Sequence, residues 1–143
     1  MTKRLRPFGG LVLLLVLMSA CAKKEAPAAP EPEEETYSRT EFTERIENFF
    51  EYVPLKPNKA SIFRIHLTDL SDGTPVSQAN VTLTARQQGS DQTAAESIAK
   101  IGKVTGIYVA ELTLKQPGSY DIVFHIKNDK LDDRLSLGGF KTE

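Results

Sequence analysis

Cysteine is nearly absent from this chain of 143 residues: Cys21 is the sole example. No intrachain disulfide can form, so the fold must hold by burial and hydrogen bonding. Tryptophan is missing, and both methionines, Met1 and Met18, fall in the first eighteen positions. Beyond them there is no thioether, and no free thiol if Cys21 is modified, which excludes a tight copper(I) or silver site. Histidine occurs twice, as His66 and His125. No glycine-rich phosphate loop, paired-cysteine motif or nucleophile elbow occurs, so an enzyme is not expected. No apolar run reaches the roughly 20 residues that cross a bilayer as a helix. No block of basic residues occurs beyond the first few positions, which argues against a nucleic-acid partner.

The beginning of the chain is distinctive. Lys3, Arg4 and Arg6 form a short positive region, followed by the apolar run from Leu11 to Met18. That run has the length of a signal-peptide core, about 7–15 residues. Met18-Ser19-Ala20-Cys21 resembles the lipobox of bacterial lipoprotein signals: small residues admit the strand to the peptidase, and the thiol accepts the diacylglycerol. Residues 1–20 are therefore expected to be a lipoprotein signal peptide, with Cys21 the lipidation site. The bilayer becomes the first expected partner, since acyl burial contributes about 0.8 kcal/mol per CH₂. The expected location is periplasm-facing. Ala22, where the familiar inner-membrane retention signal has Asp, points to the outer membrane rather than the inner. Removing the signal would leave 15 basic and 19 acidic residues, a net charge of −4.

Residues 21–36 are rich in Pro, Ala and Glu and contain nothing that could form a core. They read as a tether, reaching up to roughly 45 Å if extended at about 3.1 Å per residue. From Tyr37 to Glu143 the character changes. Phe42, Ile46, Phe49 and Phe50 fit a short helix, while Glu47 to Val53 fits a first strand equally well. Phe63, Ile65 and Leu67 alternate with Arg64, His66 and Thr68, the period of a half-buried strand. Asp72-Gly73 marks a turn, and Val81 and Leu83 point inward on the next strand. Gln87 to Glu96 reads as a polar loop, and Ile98 to Val104 as a weakly patterned short strand. Ile107 to Leu114 follows, then a turn at Gln116-Pro117-Gly118. Tyr120, Ile122, Phe124 and Ile126 alternate again, and Leu135 and Leu137 suggest a last strand. About six or seven short strands separated by turn signals predict an all-β fold, an immunoglobulin-like antiparallel β-sandwich. Pro117-Gly118-Ser119-Tyr120 resembles the tyrosine corner of such sandwiches, a structural hydrogen bond from the hydroxyl to nearby backbone.

Metal binding is the chemistry left to weigh. His66 and His125 both fall on the outward phase of their strands. Were the strands neighbours, two imidazoles with a carboxylate such as Asp69 or Asp121 would suit weak zinc, cobalt or nickel binding. No other cofactor is expected. Asp129, Asp132 and Asp133 cluster as calcium loops do, but their spacing fits a solvated turn.

Two stretches carry a family resemblance. Glu47-Asn48-Phe49-Phe50-Glu51-Tyr52-Val53-Pro54-Leu55 is similar to the opening of the N-terminal domain of periplasmic adaptor (membrane-fusion) subunits of heavy-metal resistance-nodulation-division efflux pumps. Ser61 to Leu70 resembles that domain's next strand, with His66 at a matching position. Pro75-Val76, Val81-Thr82-Leu83 and Gly106-Ile107-Tyr108 fit its later elements, so the resemblance spans roughly residues 40 to 140. Asn48 departs from it by replacing an apolar residue, as does Val53 where the family often has Pro. The barrel, lipoyl-like and α-hairpin domains of a full adaptor do not follow here. The resemblance thus implies a free-standing or shortened outer module, an accessory to heavy-metal cation efflux that binds a pump or adaptor protein. The residues fit two other classes: an envelope interaction lipoprotein with no metal role, and a small periplasmic metal chaperone.

Overall fold

The computed structural model describes residues 35–142. The signal segment, Cys21 and nearly all of the 21–36 tether lie outside the described residues. Ten strands follow in order: β1 (Tyr37–Phe42), β2 (Ile46–Tyr52), β3 (Ala60–Asp69), β4 (Thr74–Pro75), β5 (Asn80–Gln87), β6 (Thr93–Ile98), β7 (Lys100–Ile101), β8 (Ile107–Thr113), β9 (Ser119–Lys127) and β10 (Asp132–Lys141). They make two antiparallel sheets. The larger has the order β1-β2-β3-β8-β7, with β4 paired to one end of β3, and the smaller has β10-β9-β5-β6. Leaving aside β1, this is the strand arrangement of an immunoglobulin-like sandwich, with two sheets joined by Greek-key connections. Among the described residues no helix is long and apolar enough to cross a membrane.

Alternation along the strands builds the core. On β3, Ser61, Phe63, Ile65 and Leu67 are buried, while Ile62 and Arg64 face outward. On β9, Tyr120, Ile122, Phe124 and Ile126 are buried in the same way. Phe50 and Phe63 from the larger sheet meet Phe124 and Phe140 from the smaller, the closest pair being Phe50 and Phe124 at 4.9 Å between ring centroids. Rings of this size dominate burial, and their tilted contacts add to it. Ser61, also buried, donates its hydroxyl hydrogen to the Val53 carbonyl. Every described strand and core side chain lies within residues 32–143, which form one compact unit of their own.

The tyrosine corner is present: the Tyr120 hydroxyl donates to the Gln116 carbonyl at 2.7 Å. A second tyrosine does comparable work deeper in the core. The Tyr108 hydroxyl donates to the Val76 carbonyl at 2.8 Å and accepts from the Ala79 amide at 3.0 Å. It thereby holds the connection between β4 and β5 against β8.

Strand number exceeds the expected six or seven, for identifiable reasons. The segment that fitted either helix or strand is the strand β2, preceded by another strand, β1. The polar stretch read as a loop ends in β6, whose residues alternate between exposed and half-buried because β6 is a sheet edge. Its inward residues, Ala95, Ser97 and Ala99, are small, so no hydrophobic period marks it. At Ala99 the chain crosses from one sheet to the other: the Ala99 amide bonds Val81 on β5, whereas Lys100 pairs with Val109 on β8. This crossing closes one side of the sandwich.

The opposite side is closed by side chains. Arg39 on β1 donates to the Gly138 carbonyl on β10 at 2.9 Å, pairs with Glu41 at 2.6 Å and lies 5.1 Å from the centre of the Phe140 ring. Thr43 donates to Asp133 at 2.5 Å, and Arg45 to the Lys130 carbonyl at 3.1 Å. The Gly138 carbonyl is presented by a register shift in β10 between Leu137 and Phe140.

Candidate functional site

His66 and His125 stand in different sheets, on β3 and β9 respectively. Each faces outward from its own sheet, so the two imidazoles lie on opposite outer faces of the sandwich. Two packed sheets are about 10 Å apart before the outer side chains are added. No ion bound at about 2.0–2.1 Å can join these histidines. The paired-histidine site thus fails because the two strands are not neighbours.

The expected carboxylates do not rescue it. Asp69 has the opposite phase to His66 on β3, and its Oδ1 accepts from the Ser71 amide and hydroxyl at 2.9 and 2.6 Å. Those hydrogen bonds hold its carboxyl below the usual range. Asp121 shares a face with His125 but stands four residues along β9, about 13 Å away at 3.3 Å per residue. Among the described residues no three His, Cys, Asp or Glu side chains are grouped to hold a metal.

Each histidine has its own surroundings. His66 sits in a cross-strand row between Phe49 on β2 and Ile107 on β8. Its ring meets Phe49 edge-on at 5.3 Å, and its Nε2 is shielded from solvent with no hydrogen-bond partner. His125 Nε2 is 2.8 Å from Asp132 Oδ1, while Lys127 Nζ is 2.9 Å from Asp132 Oδ2. Hydrogen bonds from Lys127, then from His125, hold the Asp132 carboxyl down to about 2 from its ordinary 3.8. Of the three aspartates whose spacing fits a solvated turn, Asp132 faces Lys127 and His125, and Asp133 accepts from Thr43. The hairpin signal could have revealed this. A four-residue connection from Asn128 to Leu131 sets Asp132 opposite Lys127 and Arg134 opposite His125.

One apolar surface lies outside the larger sheet. Ile62 is 48% exposed at an outward position of β3, and Phe42 is 60% exposed at the end of β1. Half-buried Phe49, Ile107 and Val109 stand on the same outward phase. Two shallow hollows flank Ile62, of about 270 and 220 Å³. One is bounded by Pro54, Lys56, Lys59 and Glu111, the other by Glu51, Tyr52 and Arg64, and both include Val53. Small-molecule clefts run to about 300–1,000 Å³, so these hollows are better sized for single side chains of a partner protein. An apolar centre with a charged rim is the usual anatomy of a protein interface. The sequence signal was available in Ile62, an apolar residue on the polar phase of a strand otherwise lined outward by Arg64, His66 and Thr68.

The architecture is therefore that of an immunoglobulin-like β-sandwich with an apolar patch on one outer face. No family profile and no curated protein matches the chain. Among solved structures, one described as "ZirS C-terminal Domain" is similar, with a TM-score of 0.41 and 15% sequence identity over 97% of this chain and 85% of that one. A likeness of that degree assigns neither family nor function.

Proposed function

We propose that this protein is a lipid-anchored, periplasm-facing accessory of a heavy-metal cation efflux system, whose sandwich binds a pump or adaptor protein instead of catalysing a reaction. The lipobox-like sequence at Cys21 supports the anchor, and the Pro/Ala/Glu-rich tether supports a module held away from the bilayer. The efflux assignment rests on the adaptor-like stretches at 47–55 and 61–70. The observation that carries protein binding is the exposed Ile62 between two side-chain-sized hollows. Metal handling by a paired-histidine site is not part of this reading, because His66 and His125 face away from each other.

The test uses the full chain in its own host. Deleting the gene should lower tolerance to zinc, cobalt or cadmium, and a photo-crosslinking residue at Ile62 should capture a pump or adaptor subunit. Ile62→Asp should abolish capture and reproduce the loss of tolerance. Unchanged tolerance together with capture of unrelated envelope proteins would leave an interaction lipoprotein with no metal role.

A further inference from the structure

Sheet edges invite pairing with other chains, and natural proteins blunt them with bulges, charges or very short strands. Three of the four edges here are blunted. β1 turns Arg39 and Glu41 inward, opposite Phe50 and Asn48. β10 is broken by its register shift between Leu137 and Phe140, and β7 has only two residues. The fourth edge, β6, has neither proline nor lysine nor an inward charge. Its one irregularity, against Ala85 and Arg86 of β5, lies at its start and leaves residues 95–98 regular.

The backbone of that edge can be read from one hydrogen bond. The Ala99 amide bonds the Val81 carbonyl. In an antiparallel ladder alternate residues direct both amide and carbonyl to the same neighbour. Ala95, Ser97 and Ala99 therefore bond β5, while Glu96 and Ile98 direct theirs away from the sheet. Ile98 is also 65% exposed, and Ile101, just past the crossing, is 61% exposed. From Ser97 to Ala110 there is no carboxylate, only Lys100 and Lys103. Glu96 stands immediately before this basic stretch.

We infer that β6 is a self-association edge, and that its occupant is β6 of a second copy of this chain. Two copies placed antiparallel about an axis through Ser97 set Glu96 of one opposite Ile98 of the other. All four outward amides then meet all four outward carbonyls. The diagonal neighbours of each Glu96 are the other copy's Glu96 and its Lys100, and Lys100 has already crossed to the larger sheet. The two Ile98 side chains are diagonal neighbours as well, so the exposed apolar residue gains cover from its own twin. The edge is thus complementary to itself in hydrogen bonding and apolar surface. The two four-stranded sheets become one continuous sheet of eight. Centring the axis on Ile98 instead would waste half of this, because Lys100 pairs with Val109 of its own chain.

Residues 32–143 carry all of the described strands and contain no cysteine, which suits them to the test. Sedimentation of this segment should show a weight-average mass rising from monomer toward twice that value as concentration increases. Ile98→Pro removes an amide that faces away from β5, so the chain's own ladder stays intact. It should hold the protein monomeric with an unchanged thermal melt, and Ile98→Lys, which leaves the backbone alone, should do the same. Ser97→Cys places thiols on the axis, at a pair spacing of about 4.5 Å between Cα atoms. It should form an intermolecular disulfide at least tenfold faster than Ser136→Cys on β10. A parent that stays monomeric at every concentration overturns the inference. So does a dimer indifferent to both Ile98 variants, or a Ser97→Cys disulfide no faster than the control.

Discussion

At the scale of single residues, the buried polar groups separate into those that are satisfied and those that are not. Tyr108 satisfies two backbone groups at once, so Tyr108→Phe strands the Ala79 amide and the Val76 carbonyl in a buried site. The expected loss is about 1–3 kcal/mol in urea denaturation, against about 0.5–1.5 kcal/mol for Tyr120→Phe, which frees one half-buried carbonyl. Asn48 is the converse. It is 1% exposed, faces the core between Ile46 and Phe50, and neither side-chain Oδ1 nor Nδ2 has a hydrogen-bond partner. Asn48→Leu should therefore raise stability, by about 1 kcal/mol in the same measurement. Asp132 makes a prediction about pH. Its folded value lies below its unfolded one, so its stabilising effect is complete above about pH 4 and disappears as the pH falls toward 2. Asp132→Asn should remove that stabilising effect at neutral pH and leave stability below about pH 2 little changed, so that the profile is flatter across that window. Carboxylate titration by NMR should place the Asp132 midpoint near 2.

At the scale of elements, what the sequence made legible depended on burial. Strands with one clean inward face, β3, β5, β8 and β9, followed from alternation of large apolar residues. Edge strands did not. β6 turns Ala95, Ser97 and Ala99 inward, and small residues leave no hydrophobic period. β1 turns inward the Arg39 and Glu41 that alternation would assign to solvent. The tyrosine corner was readable because Gly118 and Tyr120 announce it locally. The histidine pair was not decidable, because alternation gives the face of a strand within its sheet and never says which sheet the strand joins. Gly106 shows how tightly the connections are held. Its φ is +83°, and a Cβ there would stand 2.6 Å from Cβ of Pro75 and 3.2 Å from the Leu67 carbonyl oxygen. The turn into β8 thus passes against β4 with no space for a side chain. Gly106→Ala should cost about 1–3 kcal/mol from backbone strain alone, seen as a lower urea midpoint with an unchanged slope.

At the scale of the whole molecule, the sandwich presents two outer faces of different chemistry. The face outside the larger sheet is apolar around Ile62 and Phe49, and the face outside the smaller sheet carries the His125, Lys127 and Asp132 group. The histidines report on these faces separately. In a zinc titration followed by NMR, His66→Ala should leave the shifts of the His125 ring unchanged, and His125→Ala those of the His66 ring. Coupled changes would mean that the two faces communicate. The order of strands also governs when the fold can complete itself. β3 finds β8, and β5 finds β9, only after about thirty to forty intervening residues have been made. Non-local pairings of this kind place folding in the range of about milliseconds to seconds. A chain emerging N-terminus first would hold β2 and β3 with one flank unpaired until β8 arrived. The crossing at Ala99 lies directly ahead of β8, so the residue that ties the sheets together also delivers the strand that completes the larger one.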